Sequence, residues 1–450
     1  MILILKLYFI AITALALPME SGWLHSNGSK NALDKFSKVS LSPLRVNYLQ
    51  SFDRSSVLDD PYNRVEKEFQ APEILKKRVG FWFDIYTQHD SKTYVIHHTK
   101  YPWVVFDVIK THNFYKGNAA TWYKRKKAKA YVKKRRKQIS RTLLTLSKRS
   151  HFKNLKGLEA QVYNALNSLN GSRKYLLRNS RRYLRTQLGQ KDFIEKGIKT
   201  STLYMPHIEN IFKNSGLPIS LTRMPFVESS FNIDAYSKVG ASGIWQIMPR
   251  SGRELLTVNS KIDERNNPIK ASEYAAHHLK RDYRILKSWP LAVTAYNHGV
   301  GSMRRAVRKV GTRDYVKIHA RYKDRSFRFA SRNFYSCFLA INYAYEYRKE
   351  IYKVKPLADS FEYQTVKLPF ALKKASILET SGMSRDDFIH YNYDLKELKT
   401  SYKLPKGFKI LLPPENRKLL SSQLLTLAKA KKLSKGQISK LEKALNKDAS

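Results

Sequence analysis

Residues 121–200 carry 24 Lys or Arg against three acids, Glu159, Asp192 and Glu195. A net charge of +21 in 80 residues is nearly half of the chain's total of +48. Such a segment keeps most of its surface in water, because burying unpaired charges is strongly unfavourable. Any helix it forms can offer only a narrow face to the rest of the molecule. The densest part, Lys124–Arg141, has 11 bases in 18 residues and no acid. Tyr131, Val132 and Ile139 interrupt it, which predicts a basic helix with one thin apolar face. The opposite face is either simply solvated or a strip that binds a polyanion.

The rest of the chain has the means to build cores. Over 450 residues, 42% are apolar and 12% aromatic, which excludes a disordered chain and allows roughly two to four domains. A single cysteine, Cys337, excludes an intramolecular disulfide framework, a multi-thiolate zinc site and an iron–sulfur cluster. Within the apolar run Phe334–Ile341 it reads as a small buried hydrophobe. The excess of positive charge points to a polyanionic partner: nucleic acid, anionic lipid or acidic wall polymer. The N-terminus narrows that choice. Lys6 precedes the run Leu7–Leu17, whose 11 residues are too few to span a bilayer. With the small-residue pattern Ala14-Leu15-Ala16, residues 1–17 read as a secretory signal peptide. The expected location is the periplasm or cell envelope, which argues against nucleic acid. No other segment approaches ~18 continuous apolar residues, so a soluble mature protein is expected.

Residues 18–120 are aromatic-rich and give no fold assignment. From 150 to 215, Leu155, Leu158, Val162, Ala165, Leu166 and Leu169, and then Ile194, Ile198, Leu203, Ile208, Ile211 and Phe212, recur at helical spacing. Gly216 stops that pattern and Pro218 opens the next element. Residues 351–360 read as a linker. Residues 361–413 read strand, helix, helix, strand, with Tyr363–Val366 as the first strand, Leu372, Ala375 and Leu378 on the first helix, and Phe408–Leu412 as the last strand. The tail from 415 is expected to be helical.

Glu228 stands out on physical grounds. It follows Met224-Pro225-Phe226-Val227 and precedes Phe231. A carboxylate in an apolar wall is poorly solvated, so its protonated form is favoured. A position near the C-terminal end of a short helix beginning at Pro218 acts in the same direction. A carboxylic acid that stays protonated near neutral pH is what a general acid requires. The alternative is the ordinary fate of a glutamate, at the surface or in an ion pair.

The stretch from Leu221 to Pro249 resembles the soluble lytic transglycosylase (SLT, lysozyme-like) family of peptidoglycan-cleaving enzymes. Glu228-Ser229 matches that family's Glu-Ser motif. Ala235-x-Ser237, Gly240-Ala241 and Gly243-Ile244-Trp245-Gln246 match its second block, and Ala295-Tyr296-Asn297-His298-Gly299 its third. Trp245 in place of the more common Met, and the segment Asp263–Pro268 leading into a helix over Ala271–Leu279, fit the membrane-bound lytic murein transglycosylase D type. The resemblance covers roughly residues 200–350. It implies a mainly α fold: a lysozyme-like helical catalytic domain with a helical N-terminal extension. The division expected is a signal peptide at 1–17, an N-terminal region at 18–120, a basic helical region at 121–199, the catalytic domain at 200–350, a small α+β module at 361–413 and a basic helical tail at 415–450.

The resemblance implies a mechanism with one catalytic residue. Glu228 protonates the glycosidic oxygen between N-acetylmuramic acid and N-acetylglucosamine, then takes the proton from the muramyl C6 hydroxyl as a 1,6-anhydro end closes. Ser237 would bond the acetamido group or hold Glu228. Gln246 would contact sugar or the Glu loop. Tyr296 and Asn297 would line the cleft, although a packing role suits Tyr296 nearly as well. Asp234 reads as a loop or capping residue. No cofactor and no metal is expected, and the adjacent pairs His97-His98 and His277-His278 read as non-ligands. The partners expected are peptidoglycan glycan strands and, through Lys124–Arg141, an anionic envelope polymer or lipid surface.

Two departures stand against the pattern. After the third block the family carries Glu-Thr-Arg-x-Tyr-Val, with its Tyr in the active site. Here Ala330 replaces the Glu and Phe334 the Tyr. Tyr335 is one position late, about 100° around a helix. Residues 361–413 resemble a degenerate LysM-like module whose Gly-Asp-Thr is replaced by Leu368-Pro369-Phe370. The rival readings are therefore a goose-type lysozyme-like hydrolase, a non-catalytic peptidoglycan-binding scaffold and a polyanion-binding protein.

Overall fold

A computed structural model describes residues 56–352, 354–356, 361–430 and 434–447. The expected signal peptide lies outside the described residues. Helices dominate, joined by three small sheets.

Helix α1 (Glu73–Thr87) buries nine of its 15 residues, among them Phe81, Trp82, Phe83 and Tyr86. A helix apolar on so much of its surface belongs between layers. It is followed by β1 (Thr93–His98) and β2 (Val105–Lys110), then by α2 (Thr121–Lys148), α3 (Gly157–Asn164), α4 (Arg173–Ser180) and β3 (Leu184–Leu188). The sheet order is β2-β1-β3, antiparallel throughout. All six residues of β1 are buried. Successive side chains point to opposite faces: Tyr94 and Ile96 join a core with Val132, Ile139, Leu143 and Leu146 of α2, while Val95 joins the core that holds α1. Strands from both sides of residue 120 thus share one sheet and one core. The basic segment forms the long helix expected of it, and Ala128, Val132, Ile139, Leu143 and Leu146 make its narrow buried face. Tyr131 is not on that face; it is 49% exposed, one helical step away from Val132.

The helical body comprises α5 (Lys191–Ser201), α6 (Met205–Asn214), α7 (Met224–Ser229), α8 (Pro249–Gly252), α9 (Pro268–Leu286), α10 (Trp289–His298), α11 (Val300–Val310), α12 (Tyr315–Arg321), α13 (Phe329–Glu346) and α14 (Arg348–Tyr352). Its axis is α13, with 14 of 18 residues buried. This helix packs against α1, α7 and α10. Cys337 lies wholly inside it, and burial pushes its thiol up.

The C-terminal module pairs β4 (Gln364–Lys367) with β7 (Lys409–Leu412) around α15 (Lys374–Ser381) and α16 (Arg385–Tyr391). The order strand, helix, helix, strand is the one read from sequence. Leu372 differs: with Lys373 it forms β5, paired to β6 (Lys403–Leu404), just before α15 begins. The module has its own apolar core and is followed by α17 (Pro414–Ala430) and α18 (Lys435–Lys447). A buried ion cluster fastens it to the helical body. Lys270 Nζ donates to Glu264 at 2.9 Å and to Asp394 at 2.8 Å. Asn267 caps α9 with its Oδ1 and donates through Nδ2 to Tyr391 O and Asp394.

Candidate active site

Pro218 leads into a 3-10 turn, Ile219–Arg223, which runs directly into α7. Glu228 is the fifth of the six residues of α7, behind the buried Met224, Pro225, Phe226 and Val227. The helix stops abruptly. Ser230 and Phe231 both adopt left-handed backbone, with φ of 54° and 57°. Non-glycine residues take that conformation only where their surroundings enforce it. Here Ser230 N donates to Phe226 O and Phe231 N to Pro225 O. Ser229 Oγ donates to Ile244 O at 2.9 Å and accepts from Asn232 N, tying the end of α7 to the following loop. On the other side, α5 presses its backbone against Ser230. A Cβ at Gly197 would lie 2.1 Å from Ser230 O, so only glycine permits the approach.

Glu228 is half-buried, and among the described residues nothing hydrogen-bonds to or ion-pairs with its carboxyl. Burial alone pushes it up to about 8. Two tyrosines lie within its electrostatic reach. Burial raises both hydroxyls; Glu228 adds to that of Tyr296, and Cys337, Tyr352 and Glu228 add to that of Tyr86. Tyr86 comes from α1, the region to which the sequence assigned no fold. No local signal marks it, because only the packing of α1 on α13 brings it here.

The loop 235–247 is built on itself. Gly243 (φ 74°) lies so close to Arg265 O that a Cβ would sit 2.0 Å away. Arg265, gripped by Asp263, donates to Gly240 O at 2.6 Å and Ile247 O at 2.8 Å. Ser237 Oγ accepts from Ala241 N at 2.8 Å, closing the turn over Gly240. Gln246 Nε2 donates to Ala235 O and Gly243 O. Neither Ser237 nor Gln246 bonds Glu228. Trp245 is buried, stacks on Phe212 at 5.6 Å and donates to Ser272 Oγ. Tyr296 OH donates to Trp245 O at 2.9 Å, joining α10 to this loop. Asn297 Oδ1 accepts from Ser331 Oγ at 3.1 Å, and its Nδ2 is buried without a partner. Gly299, with φ of 87°, ends α10.

Phe334 is wholly buried in α13. Tyr335 points toward α12, with its ring 4.8 Å from that of Tyr315. Asp234 reaches the C-terminal module, where Lys396 at 2.8 Å and Tyr393 bond it and hold its carboxyl below the usual range against the effect of burial. Among the described residues, no group of three or more His, Cys, Asp or Glu is placed to hold a metal ion.

Residues 207–319 match the model of the transglycosylase SLT domain. The chain carries an SLT domain. Over 123 residues it is 31% identical to the membrane-bound lytic murein transglycosylase D of Escherichia coli K12 and to that of strain O6:H1, a stretch that covers 27% of this chain and 27% of each relative. Over 109 residues it is 31% identical to a protein of Alteromonas sp. strain M-1 named for tributyltin chloride resistance, covering 24% of this chain and 53% of that one. The likeness thus spans about a quarter of the E. coli relatives. The match contains all three sequence blocks and Glu228; α1, the sheet and α2 lie outside it.

Proposed function

We propose that the protein is a peptidoglycan lytic transglycosylase of the cell envelope, with Glu228 as its acid and then its base. The observation that carries this reading is a carboxyl with no hydrogen bond or ion pair among the described residues, pushed up to about 8 by burial, inside an SLT domain. At pH 7 such a group is mostly protonated. It can give its proton to the glycosidic oxygen linking N-acetylmuramic acid to N-acetylglucosamine. The bond to the leaving sugar breaks, and the carboxylate left behind faces a site of low polarity. It then takes the proton of the muramyl C6 hydroxyl as that oxygen bonds C1, giving the 1,6-anhydro end. One residue completes the cycle, unlike the two-carboxylate glycosidases. Tyr296 and Asn297 line the site beside it. Ser237 and Gln246 hold the loop that forms its wall.

The basic helix extends the reading. Of the 11 bases in Lys124–Arg141, Arg135 has a carboxylate partner among the described residues, Asp107 at 2.6 Å. The others have no carboxylate partner among the described residues and can hold the enzyme on anionic envelope polymer or lipid head groups, in a manner that salt weakens. A sugar-binding role for the LysM-like module belongs to the same picture.

The test is to incubate the purified protein with peptidoglycan sacculi and to identify the soluble fragments by mass spectrometry. Fragments ending in 1,6-anhydromuramic acid, lost by a factor of about 10³ or more in Glu228→Gln, are expected. Reducing-end fragments would indicate a hydrolase. No fragments with sacculus binding retained would indicate a non-catalytic scaffold, with Ala330 and Phe334 as the first positions to examine.

A further inference from the structure

The junction between the N-terminal sheet and α13 gathers positive charge without a counter-ion. Arg78 of α1 is buried and donates to Asn333 Oδ1 and Lys100 O, both at 2.8 Å. Arg185 of β3 lies 4.1 Å over the ring of Phe329, and its Nε is buried without a partner. Neither guanidinium has a carboxylate partner among the described residues. His97, opposite Arg185 in the strand register, is wholly buried between Phe81 at 4.5 Å and Phe329 at 5.7 Å. Neither of its ring nitrogens has a side-chain hydrogen-bond partner among the described residues. Burial, Arg185 and Arg78 together push it down to about 3. Trp103, 5.5 Å from the Arg78 guanidinium, has a buried and unpartnered Nε1.

Buried donors are normally paired, and buried charges more so. Orphan donors on an indole, an imidazole and a guanidinium, with no acid in the cluster, call for one acceptor of negative charge. The rings of Phe81 and Phe329 flank these donors, which suits a planar carboxylate, and guanidinium groups bind that shape well. The rim is open: Arg185, Trp103, Phe329 and Ala330 are half-buried. It also adjoins the cleft, because Ser331, two residues after Phe329, bonds Asn297.

We propose that this junction is a carboxylate-binding subsite that takes a carboxylate of the peptide carried by the wall polymer, while the sugar lies at Glu228. The inference rests on the glycan reading of the cleft. It makes the N-terminal region a part of the substrate site and gives a peptide-bearing strand an advantage over a bare one.

The test uses the full chain carrying Glu228→Gln, so that nothing turns over. Binding of a disaccharide–peptide muropeptide and of the same disaccharide without peptide is measured by calorimetry. The peptide-bearing fragment is expected to bind about tenfold tighter or more. Adding Arg185→Met, which keeps an apolar stem over Phe329, should erase that difference and leave the peptide-free affinity unchanged. Equal affinity for the two fragments, or an equal loss for both in Arg185→Met, would overturn the proposal. If neither fragment binds, the glycan reading fails, and acetate titrated against the ring signals of His97 decides the subsite alone. A saturable shift that Arg185→Met abolishes supports it. No shift, or a shift with inorganic phosphate and none with acetate, overturns it.

Discussion

The molecule treats its buried acids in two opposite ways. At the seam with the C-terminal module, Glu264 and Asp394 close on Lys270, whose ammonium burial would lower but which the two carboxylates raise instead. At the end of α7, Glu228 is half-buried in an apolar wall, with no cation paired to its carboxyl among the described residues, and burial pushes it up to about 8. A paired buried ion fixes geometry, because breaking it strands a charge. An unpaired acid stays protonated and holds its proton ready. The contrast separates residues that join parts of the fold from one available for chemistry.

The largest test of the contrast is Lys270→Met. Removing the shared cation leaves Glu264 and Asp394 buried side by side, and a loss of about 3–5 kcal/mol is expected. Calorimetry of the full chain, together with faster protease cleavage between the helical body and the module, would register it. An unchanged profile would mean that the seam is held by apolar packing alone.

Glu228→Gln should behave in the opposite sense. The folded carboxyl titrates near 8 and the ordinary value is 4.5. Between those values the folded state keeps a proton that the unfolded chain has released. Wild-type stability therefore falls as pH rises through this window and levels off above it. The variant lacks that fall. Its advantage in denaturant melts should grow by up to a few kcal/mol from pH 5 to 8, at ~1.4 kcal/mol per pKa unit. A constant gap across that range would show that Glu228 is solvated.

Two smaller changes act on the scaffold of the site. Gly197→Ala drives a methyl into Ser230 O and is expected to cost roughly 1–3 kcal/mol while displacing Glu228. Its activity should fall more than its melting temperature suggests. Ser229→Ala removes the bond to Ile244 O and should cost about 1 kcal/mol.

What could be read from the sequence was local. The apolar wall before Glu228, the start at Pro218 and the turn glycines at 240, 243 and 299 each follow from a few neighbouring residues. The thin apolar face of the basic helix is legible from the spacing of Val132 and Ile139, whereas Tyr131 lies off that face. The rest required contacts across long separations. In β1 every residue is buried, so the alternation that marks a half-exposed strand is missing. Its partner β3 lies beyond α2, α3 and α4. The role of Gly197 depends on Ser230, and that of Asp234 on Lys396, more than 160 residues later. Tyr86 and Arg78 reach their places only because α1 packs along α13.

The proposed chemistry of Glu228 turns on one proton. Carboxyl carbon NMR of the protein labelled at glutamate, titrated from pH 4 to 10 and compared with Glu228→Gln, reads it directly. The predicted result is one signal, absent in the variant, with a midpoint near 8. A midpoint in the ordinary carboxylate range would mean a solvated Glu228, and the single-residue acid–base mechanism would fall with it.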